Sequence, residues 1–182
     1  MDPGESYSVS LIMVEKPDFE KLVACHYHEL YQFAYSLTRS ESESCDLTQE
    51  TFCIWAAKGH QLRDGSKVKS WLFTTLHREF LGGRRRQVRF PHVELEDADA
   101  ELPMVTPELV DRLDARMVVE ALAGLDEIFR APVALFYLQD YSYMEIAEIL
   151  SVPVGTIKSR LARGIIRLNR ILTSTRKKGG ES

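Results

Sequence analysis

The sequence predicts an all-α protein with two helical units joined by an acidic linker. Apolar residues recur at three- and four-residue steps over most of the chain, which is the period of an amphipathic helix. No window alternates between apolar and polar residues as a half-buried strand would. Residues 91–113 combine three prolines with a dense acidic run and little periodicity, which is typical of a linker.

The N-terminal unit is expected at residues 18–90, after a tail at 1–17. Its first helix is predicted from an apolar stripe at helical spacing, formed by Phe19, Leu22, Val23, His26, Leu30, Phe33, Ala34 and Leu37. Ser40 and Glu43 match the S-x-x-E capping box, so a second helix should begin at this point. A third helix should run through 68–80. The glycine pair that follows should weaken its end, because glycine costs about 1 kcal/mol relative to alanine inside a helix.

The C-terminal unit is expected at residues 114–175, before a basic and flexible tail at 176–182. Its periodicity predicts four shorter helices, at approximately 111–124, 127–138, 142–150 and 154–173. Ser142 and Glu145 form a second S-x-x-E capping box. Pro153 suits the first turn of the last helix, where its missing N–H costs nothing. A short helix, a three-residue turn and a longer amphipathic helix describe a helix-turn-helix.

The last helix separates apolar and basic residues onto opposite sides. At about 100° per residue, one side carries Val154, Ile157, Leu161, Ile165, Leu168 and Leu172. The far side carries Ser159, Arg163, Arg167 and Arg170, flanked by Arg160. Exposed arginines repel each other, so folding alone gives little reason to group them, whereas a phosphate backbone gives a good one. For a basic face by itself, the alternative is a merely solvated surface.

Charge is unevenly distributed, although the net charge is only −4. Residues 63–90 hold eight bases and two acids, and residues 151–178 hold eight bases and no acid, whereas residues 91–114 hold eight acids and one base. This pattern predicts two polyanion-binding surfaces. In the first basic block, aromatic residues interleave with the bases, as in surfaces that bind single-stranded nucleic acid; they are Trp71, Phe73, Phe80 and Phe90. Trp71 also falls on an apolar stripe, which favours a core position.

Other function classes lack their sequence signals. No stretch approaches the roughly 18 to 20 continuous apolar residues that span a bilayer, and no signal-peptide pattern opens the chain. The three cysteines form no CxxC pair, which indicates a reducing cytoplasm. No nucleophile elbow, P-loop, HExxH or GxGxxG motif is present, so we expect neither an enzyme nor a cofactor. For Cys25, His26 and His28 a structural role is favoured over a metal site, and Cys53 is interpreted as a small core residue.

The two units together resemble a known family. The N-terminal unit carries Asp46-Leu-Thr-Gln49-Glu50-Thr-Phe52 and then Trp71-Leu-Phe-Thr with a basic tail. The C-terminal unit carries Tyr143-Met-Glu-Ile-Ala-Glu-Ile-Leu and then Pro153-Val-Gly-Thr-Ile-Lys-Ser-Arg-Leu. This order and spacing resemble the extracytoplasmic-function (ECF) group of RNA polymerase sigma factors in the sigma-70 family. The resemblance implies an alternative sigma factor that binds core polymerase, recognises promoter DNA and starts transcription initiation, with region 2 at 18–90 and region 4 at 114–175.

The resemblance also implies the partner of each surface. Core RNA polymerase, through a coiled coil of its largest subunit, would contact Asp46, Gln49 and Glu50. The minus-ten element, melted and with flipped bases, would contact Lys67, Lys69, Arg78, Arg84, Arg85 and Arg86. The minus-thirty-five element, as duplex DNA, would contact Thr156, Lys158, Ser159, Arg160, Arg163 and Arg167. An anti-sigma factor is a further implied partner that no residue establishes, and no membrane insertion is expected.

Arg78 departs from the family pattern. Many of these factors carry Asn at this position, seven residues beyond Trp71, where it contacts the melted strand. Arginine can grip a phosphate or stack on a base, but it cannot reproduce the donor and acceptor pair of an amide.

Two alternatives stay open at this point. A stand-alone helix-turn-helix regulator would explain residues 111–182, but it would leave the helix at 46–52 and the first basic block without a role. The acidic linker is either a passive connector or a mimic of nucleic acid.

Overall fold

The computed structural model describes residues 19–87 and 121–178, and the described residues form helices and turns without a β-strand. Six helices have bounds within these ranges, namely α1 (Phe19–Thr38), α2 (Glu41–Lys58), α3 (Val68–Gln87), α4 (Glu127–Gln139), α5 (Tyr143–Leu150) and α6 (Val154–Lys178). The all-α prediction is therefore confirmed. The tail at 1–17, the linker at 91–113 and most of the helix predicted at 111–124 lie outside the described residues.

The turn between α1 and α2 follows from two residues. Arg39 has a φ of 62°, a left-handed conformation that ends α1, and its N–H donates to the Tyr35 carbonyl at 3.0 Å. Ser40 then caps α2, because its hydroxyl accepts a hydrogen bond from the Glu43 N–H at 3.3 Å. The predicted start of the second helix is confirmed.

Aromatic side chains form the core between α1, α2 and α3. The Phe33 and Phe73 rings lie 5.3 Å apart between centroids, and both side chains are fully buried. The Trp55 and Trp71 rings meet edge to face at 5.1 Å, a favoured aromatic geometry. Trp71 thus packs against the core, as its place on the apolar stripe indicated.

The glycine pair does not end α3. The helix continues through Gly82 and Gly83 to Gln87. The expectation that this glycine pair would weaken the end of the helix is therefore wrong. A Cβ atom at either glycine would meet no atom within 4 Å. Close packing therefore requires neither glycine, and the helix tolerates their cost of about 1 kcal/mol each.

The helix-turn-helix forms as predicted. Ser142 and Glu145 make the complete capping box at the start of α5, with the Ser142 N–H donating to Glu145 Oε2 at 2.9 Å. Ser151, at a φ of 55°, turns the chain after α5. Pro153 directly precedes α6 instead of standing inside its first turn, and its carbonyl accepts from the Ile157 N–H at 3.1 Å.

Close packing of α4 and α6 depends on Gly164. A Cβ at this position would lie 2.6 Å from Val133 Cγ2 and 3.2 Å from Phe129 Cβ, well inside van der Waals contact. The apolar side of α6 predicted from the sequence faces this interface, and its buried members are Ile157, Leu161, Ile165 and Leu168. The absence of a side chain at 164 lets α6 approach α4 closely.

The two units pack against each other, α1 against α4 and α3 against α5. The centre of this contact is Arg130 of α4, which is only 7% exposed. Its guanidinium donates to the carbonyls of Leu37 at 2.9 Å, Leu122 at 3.2 Å and Leu125 at 2.7 Å. Leu37 belongs to α1, so this arginine joins the units through a buried hydrogen-bond network. No sequence pattern indicated this docking.

Candidate polymerase and nucleic-acid interfaces

One face of α2 is polar and exposed. Asp46, Gln49 and Glu50 are all exposed, and their spacing of three and four residues places them on the same side of the helix. The opposite side is anchored by Phe52 and Trp55, which are 5% and 7% exposed. The structure therefore presents the three predicted polymerase-binding residues together, on a helix whose orientation the core fixes.

Three buried hydroxyl residues lie on the anchored side of α2, and the sequence analysis missed them. Ser44 donates its hydroxyl to the Ser40 carbonyl at 2.5 Å, Thr48 donates to the Ser44 carbonyl at 2.7 Å, and Thr51 donates to the Leu47 carbonyl at 2.8 Å. Each hydroxyl is thus satisfied within the helix, which allows these side chains to be buried.

An aromatic ladder lies beside this helix. Tyr27, Tyr31 and Tyr35 stack at centroid distances of 6.2 and 6.3 Å, and Phe52 stacks on Tyr27 at 6.4 Å. Phe19 meets Phe52 edge to face but is 45% exposed. Its predicted place in the buried stripe is therefore wrong, because α1 begins at this residue and no further element covers it among the described residues. The i, i+4 spacing of the three tyrosines was the sequence signal for the ladder.

The minus-ten candidates lie on or just before α3 and differ in their surroundings. Lys67, Arg78 and Arg85 are exposed. Lys69 is half-buried and pairs with Glu29, with Nζ 3.1 Å from Oε2. The remaining two candidates are Arg84, which pairs with a carboxylate of α4, and Arg86, whose side chain lies outside the described part of the chain.

Two of the aromatic residues that interleave with the bases are buried and cannot stack on DNA bases in this structure. Phe73 is fully buried and Phe80 is 8% exposed, while Phe90 lies outside the described residues. Trp71 is partly buried against Trp55. The basic surface of α3 therefore offers positive charge, and the aromatic side chains near it mainly pack in the core.

Helix α6 carries most of the minus-thirty-five candidates near its N-terminus. Lys158 is exposed, and Thr156, Arg160 and Arg163 are half-buried. Ser159 donates its hydroxyl to the Thr156 carbonyl at 3.0 Å. The basic side lies opposite the buried leucine and isoleucine side, as the helical wheel predicted.

Arg167 has a more specific environment further along α6. It is 46% exposed, its guanidinium lies 4.5 Å from the centroid of the Phe129 ring, and it donates to a carboxylate oxygen of Asp126. Stacking on Phe129 fixes its direction. Arg167 is therefore directed across the start of α4.

His77 is a titratable group of the unit interface that the sequence analysis missed. Burial lowers the pKa of its imidazole to about 4, with a further lowering by Arg160 of α6 and an opposing effect from Glu127 of α4. The imidazole is consequently neutral at physiological pH. The signal available in the sequence was only its position among apolar neighbours on α3.

A groove of about 240 Å³ lies between the two units on the basic side of α3. Its walls come from α3 and the residues preceding it and from α5, and its lining residues are Leu62, Lys67, Ser70, Trp71, Thr74, Arg78, Glu148 and Ile149. Two minus-ten candidates therefore face an acidic residue of the helix-turn-helix across this groove.

Cysteines and histidines form no metal site within residues 19–87 and 121–178, where no three candidate ligands come together. Cys53 is exposed, so its interpretation as a core residue is wrong. It projects from α2 on a side that neither Phe52 nor Trp55 occupies. No helix in the described ranges is long and apolar enough to cross a bilayer.

Two family models match the chain. Sigma-70 region 2 matches residues 22–90, and Sigma-70, region 4 matches residues 115–168. The matched stretches correspond to the N-terminal and C-terminal units and contain all of the predicted site residues.

Individual relatives agree with these matches. The ECF RNA polymerase sigma factor SigE of Mycolicibacterium smegmatis is 36% identical over 155 residues, which cover 81% of this chain and 59% of that protein. The ECF RNA polymerase sigma factor SigM of Mycobacterium tuberculosis is 30% identical over 158 residues, covering 85% of this chain and 76% of the relative. The sigma factor RpoE of Bartonella quintana, solved in complex with the anti-sigma factor NepR, superposes with a TM-score of 0.66 at 29% identity, covering 86% of this chain and 97% of that one.

Both sigma regions are present in one chain, in the family's order, which excludes the hypothesis of a stand-alone helix-turn-helix regulator. The chain belongs to the ECF group of the sigma-70 family and is an alternative sigma factor, a protein through which RNA polymerase recognises promoters.

Proposed function

We propose that three separate surfaces of this chain carry out its three binding steps. The exposed face of α2 binds core RNA polymerase, α3 binds the melted minus-ten element, and α6 binds the minus-thirty-five duplex. In this assignment region 2 comprises residues 18–90, the linker 91–113 and region 4 114–175. The supporting observation is the separation of charge, since α2 exposes acidic and amide groups while the lysines and arginines project from α3 and α6.

Asp46, Gln49 and Glu50 are suited to a protein partner. They form a compact polar patch and face solvent. A coiled coil of the largest polymerase subunit would dock along this face. Binding would then use charge complementarity, which contributes to specificity and to the association rate.

Replacing Asp46 and Gln49 with alanine should weaken binding to core polymerase by about tenfold or more, since hydrogen bonds to charged groups contribute about 1.5–3 kcal/mol. The free energy of unfolding should change by less than about 0.5 kcal/mol, because both side chains are exposed. Titration of labelled protein with core polymerase measures the first quantity, and chemical denaturation measures the second.

Glu41→Ala provides the matched control, because Glu41 is an exposed acid on the same helix about 140° away from Asp46. We expect it to bind core polymerase like the wild type. If the Asp46 and Gln49 variants bind core polymerase as tightly as the wild type does, the assignment of this face is wrong.

The surface of α3 would act on single-stranded DNA. Flipping a base out of the stack costs a few kcal/mol, and cationic contacts to the backbone contribute to offsetting that cost. Lys67, Lys69, Arg78 and the Arg84–Arg86 triplet would supply those contacts. Because Phe73 and Phe80 are buried, this proposal rests on phosphate contacts from these cations more than on stacking.

The N-terminal part of α6 would read base edges. From Thr156 to Arg163 the helix rises by about 10 Å, which is comparable to the width of the major groove, about 12 Å. Arg167 and Arg170 lie one and two turns further along, where a straight helix leaves the base edges. Lys158, Ser159 and Arg163 are therefore the base-facing candidates, and Arg160 and Arg167 lie nearer the phosphates.

Arg163→Ala should relax the preference at one or two minus-thirty-five positions, because an arginine bidentate to guanine discriminates by about 1–3 kcal/mol. Arg170→Ala should lower affinity for all promoter variants alike, as loss of a phosphate contact does. A binding series of promoter variants with reconstituted holoenzyme, at fixed salt, compares the two. A shift of base preference in Arg170→Ala but not in Arg163→Ala would refute this placement of the helix.

An anti-sigma partner and a cytoplasmic location complete the proposal. The Bartonella quintana relative was solved with an anti-sigma factor bound, and polymerase and promoter DNA are the partners that the proposed surfaces require. A sigma factor acts by binding, so the proposal assigns no catalytic residue and no cofactor to this chain.

A further inference from the structure

One large apolar side chain of α6 lies outside the buried side of the helix. Ile166 is 37% exposed, whereas the apolar residues on the core side are at most 4% exposed; they are Ile157, Leu161, Ile165 and Leu168. At about 100° per residue, Ile166 is roughly 140° from the middle of that buried group. It therefore belongs to the side of α6 that carries the minus-thirty-five candidates.

Basic residues surround Ile166 on this side of the helix. Arg163 precedes it by three residues and Arg170 follows it by four, and both spacings make neighbours on a helix surface. Ser159 lies two turns earlier at nearly the same angle around the axis. Ser159 and Arg163 are base-facing candidates, so Ile166 continues the line of candidate base contacts toward the C-terminal end of α6.

Folding gives little reason for an isoleucine at position 166. A side chain that stays exposed gains little from burial, and a β-branched side chain loses rotamer freedom in a helix. Single exposed apolar residues are common on protein surfaces. The surface around Ile166, however, is the one proposed to meet DNA, and there an apolar side chain has a specific counterpart.

The apolar counterpart in the major groove is the C5-methyl group of thymine. The other groups that distinguish the base pairs there are hydrogen-bond donors and acceptors, and an isoleucine packed against one of them would leave it without a partner. The methyl group also lies at the outer end of the base-pair edge, next to the backbone of its own strand. Ile166 is about 15 Å from Thr156 along the helix axis, slightly more than the groove width of about 12 Å, so it meets the groove at this outer end.

Given the function proposed above, on which this inference rests, we propose that Ile166 reads a thymine of the minus-thirty-five element by apolar contact with its methyl group. From Arg163 to Ile166 the helix rises by about 4.5 Å, slightly more than the spacing of about 3.4 Å between successive bases. The thymine is therefore expected one or two base pairs from the position that Arg163 reads. The two side chains would specify neighbouring base pairs, one by hydrogen bonds and the other by an apolar contact.

The test removes only the methyl group from the DNA. The probe is a promoter duplex selected from a random pool by the wild-type reconstituted holoenzyme, in which each minus-thirty-five thymine is replaced in turn by deoxyuracil. Deoxyuracil keeps the base pairing and the O4 acceptor of thymine. Binding is compared at fixed salt for the wild type, Ile166→Ala and Ile128→Ala. Ile128 is the matched control, because it is also 37% exposed but belongs to α4, and both exposed substitutions should preserve the fold.

We expect one of the deoxyuracil substitutions to weaken binding of the wild type by roughly fourfold, the contribution of one buried methyl group. Ile128→Ala should show the same loss, whereas Ile166→Ala should bind the thymine and deoxyuracil probes alike at this position. The proposal is overturned by an equal loss in the wild type and Ile166→Ala, by the lack of any loss in the wild type, or by a selected minus-thirty-five element without thymine.

A failure of this inference is distinguishable from a failure of the proposed function. If the wild-type holoenzyme selects a minus-thirty-five sequence but does not respond to deoxyuracil, only the role of Ile166 is refuted. If it selects no preferred sequence at this element, the assignment of α6 to the minus-thirty-five duplex is wrong, and the inference falls with it.

Discussion

Arg130→Met should lower the free energy of unfolding by about 3 kcal/mol or more. The substitution keeps an unbranched side chain of similar length but removes the donors to three carbonyls, those of Leu37, Leu122 and Leu125. A buried acceptor left without a partner costs about 1–3 kcal/mol. The Leu37 carbonyl lies in the last turn of α1, where the helix dipole adds to its attraction for a cation.

Thermal and chemical denaturation followed by circular dichroism would measure this effect. Arg85→Met is the control, because Arg85 is exposed and its loss should change stability by less than about 0.5 kcal/mol. Arg130→Lys should recover little, since one ammonium cannot reproduce the fork of a guanidinium. A stability of Arg130→Met within about 0.5 kcal/mol of the wild type would show that these hydrogen bonds do not hold the units together.

Acidification should destabilise the protein between about pH 6.5 and 4, through His77. Burial is the largest cause that lowers its pKa from 6.5 to about 4, so below pH 6.5 the unfolded chain binds a proton that the folded chain does not. Stability is therefore complete above pH 6.5 and falls as pH falls through this window. The full shift corresponds to at most about 3 kcal/mol, a limit that solvent screening reduces because His77 is partly exposed.

His77→Gln should remove this pH dependence. At pH 5 the wild type should have lost up to about 2 kcal/mol relative to pH 7.5, and the variant should have lost much less. His60→Gln is the control, because His60 is exposed on the turn after α2. Denaturant unfolding at the two pH values decides the matter: equal pH dependence in wild type and His77→Gln would contradict the assignment.

The elements of the fold were predictable because their signals are local. The helix N-caps at Ser40 and Ser142 and the apolar side of α6 each act within a few residues, so the chain sequence alone identifies them. The same holds for the exposure of Asp46, Gln49 and Glu50, which follows from their spacing on one amphipathic helix.

The rest depends on contacts between distant residues. Phe19 lies on the apolar stripe by its spacing, yet its burial requires a covering element that the described residues do not supply. Arg130 stands in an apolar run, and only the docked arrangement of α1 and α4 explains why a guanidinium is buried there. The pairing of Arg84 with Glu127 likewise joins positions 43 residues apart, a distance over which no periodicity gives information.

The edge-to-face pair of Trp55 and Trp71 allows tryptophan fluorescence to distinguish the N-terminal unit from the C-terminal unit. These are the chain's two tryptophans, and both lie in the N-terminal unit. Indole emission therefore monitors the packing of α2 on α3 alone, whereas far-ultraviolet circular dichroism sums the helices of both units. A difference between the two unfolding curves would measure directly how strongly the units are coupled, with no added label.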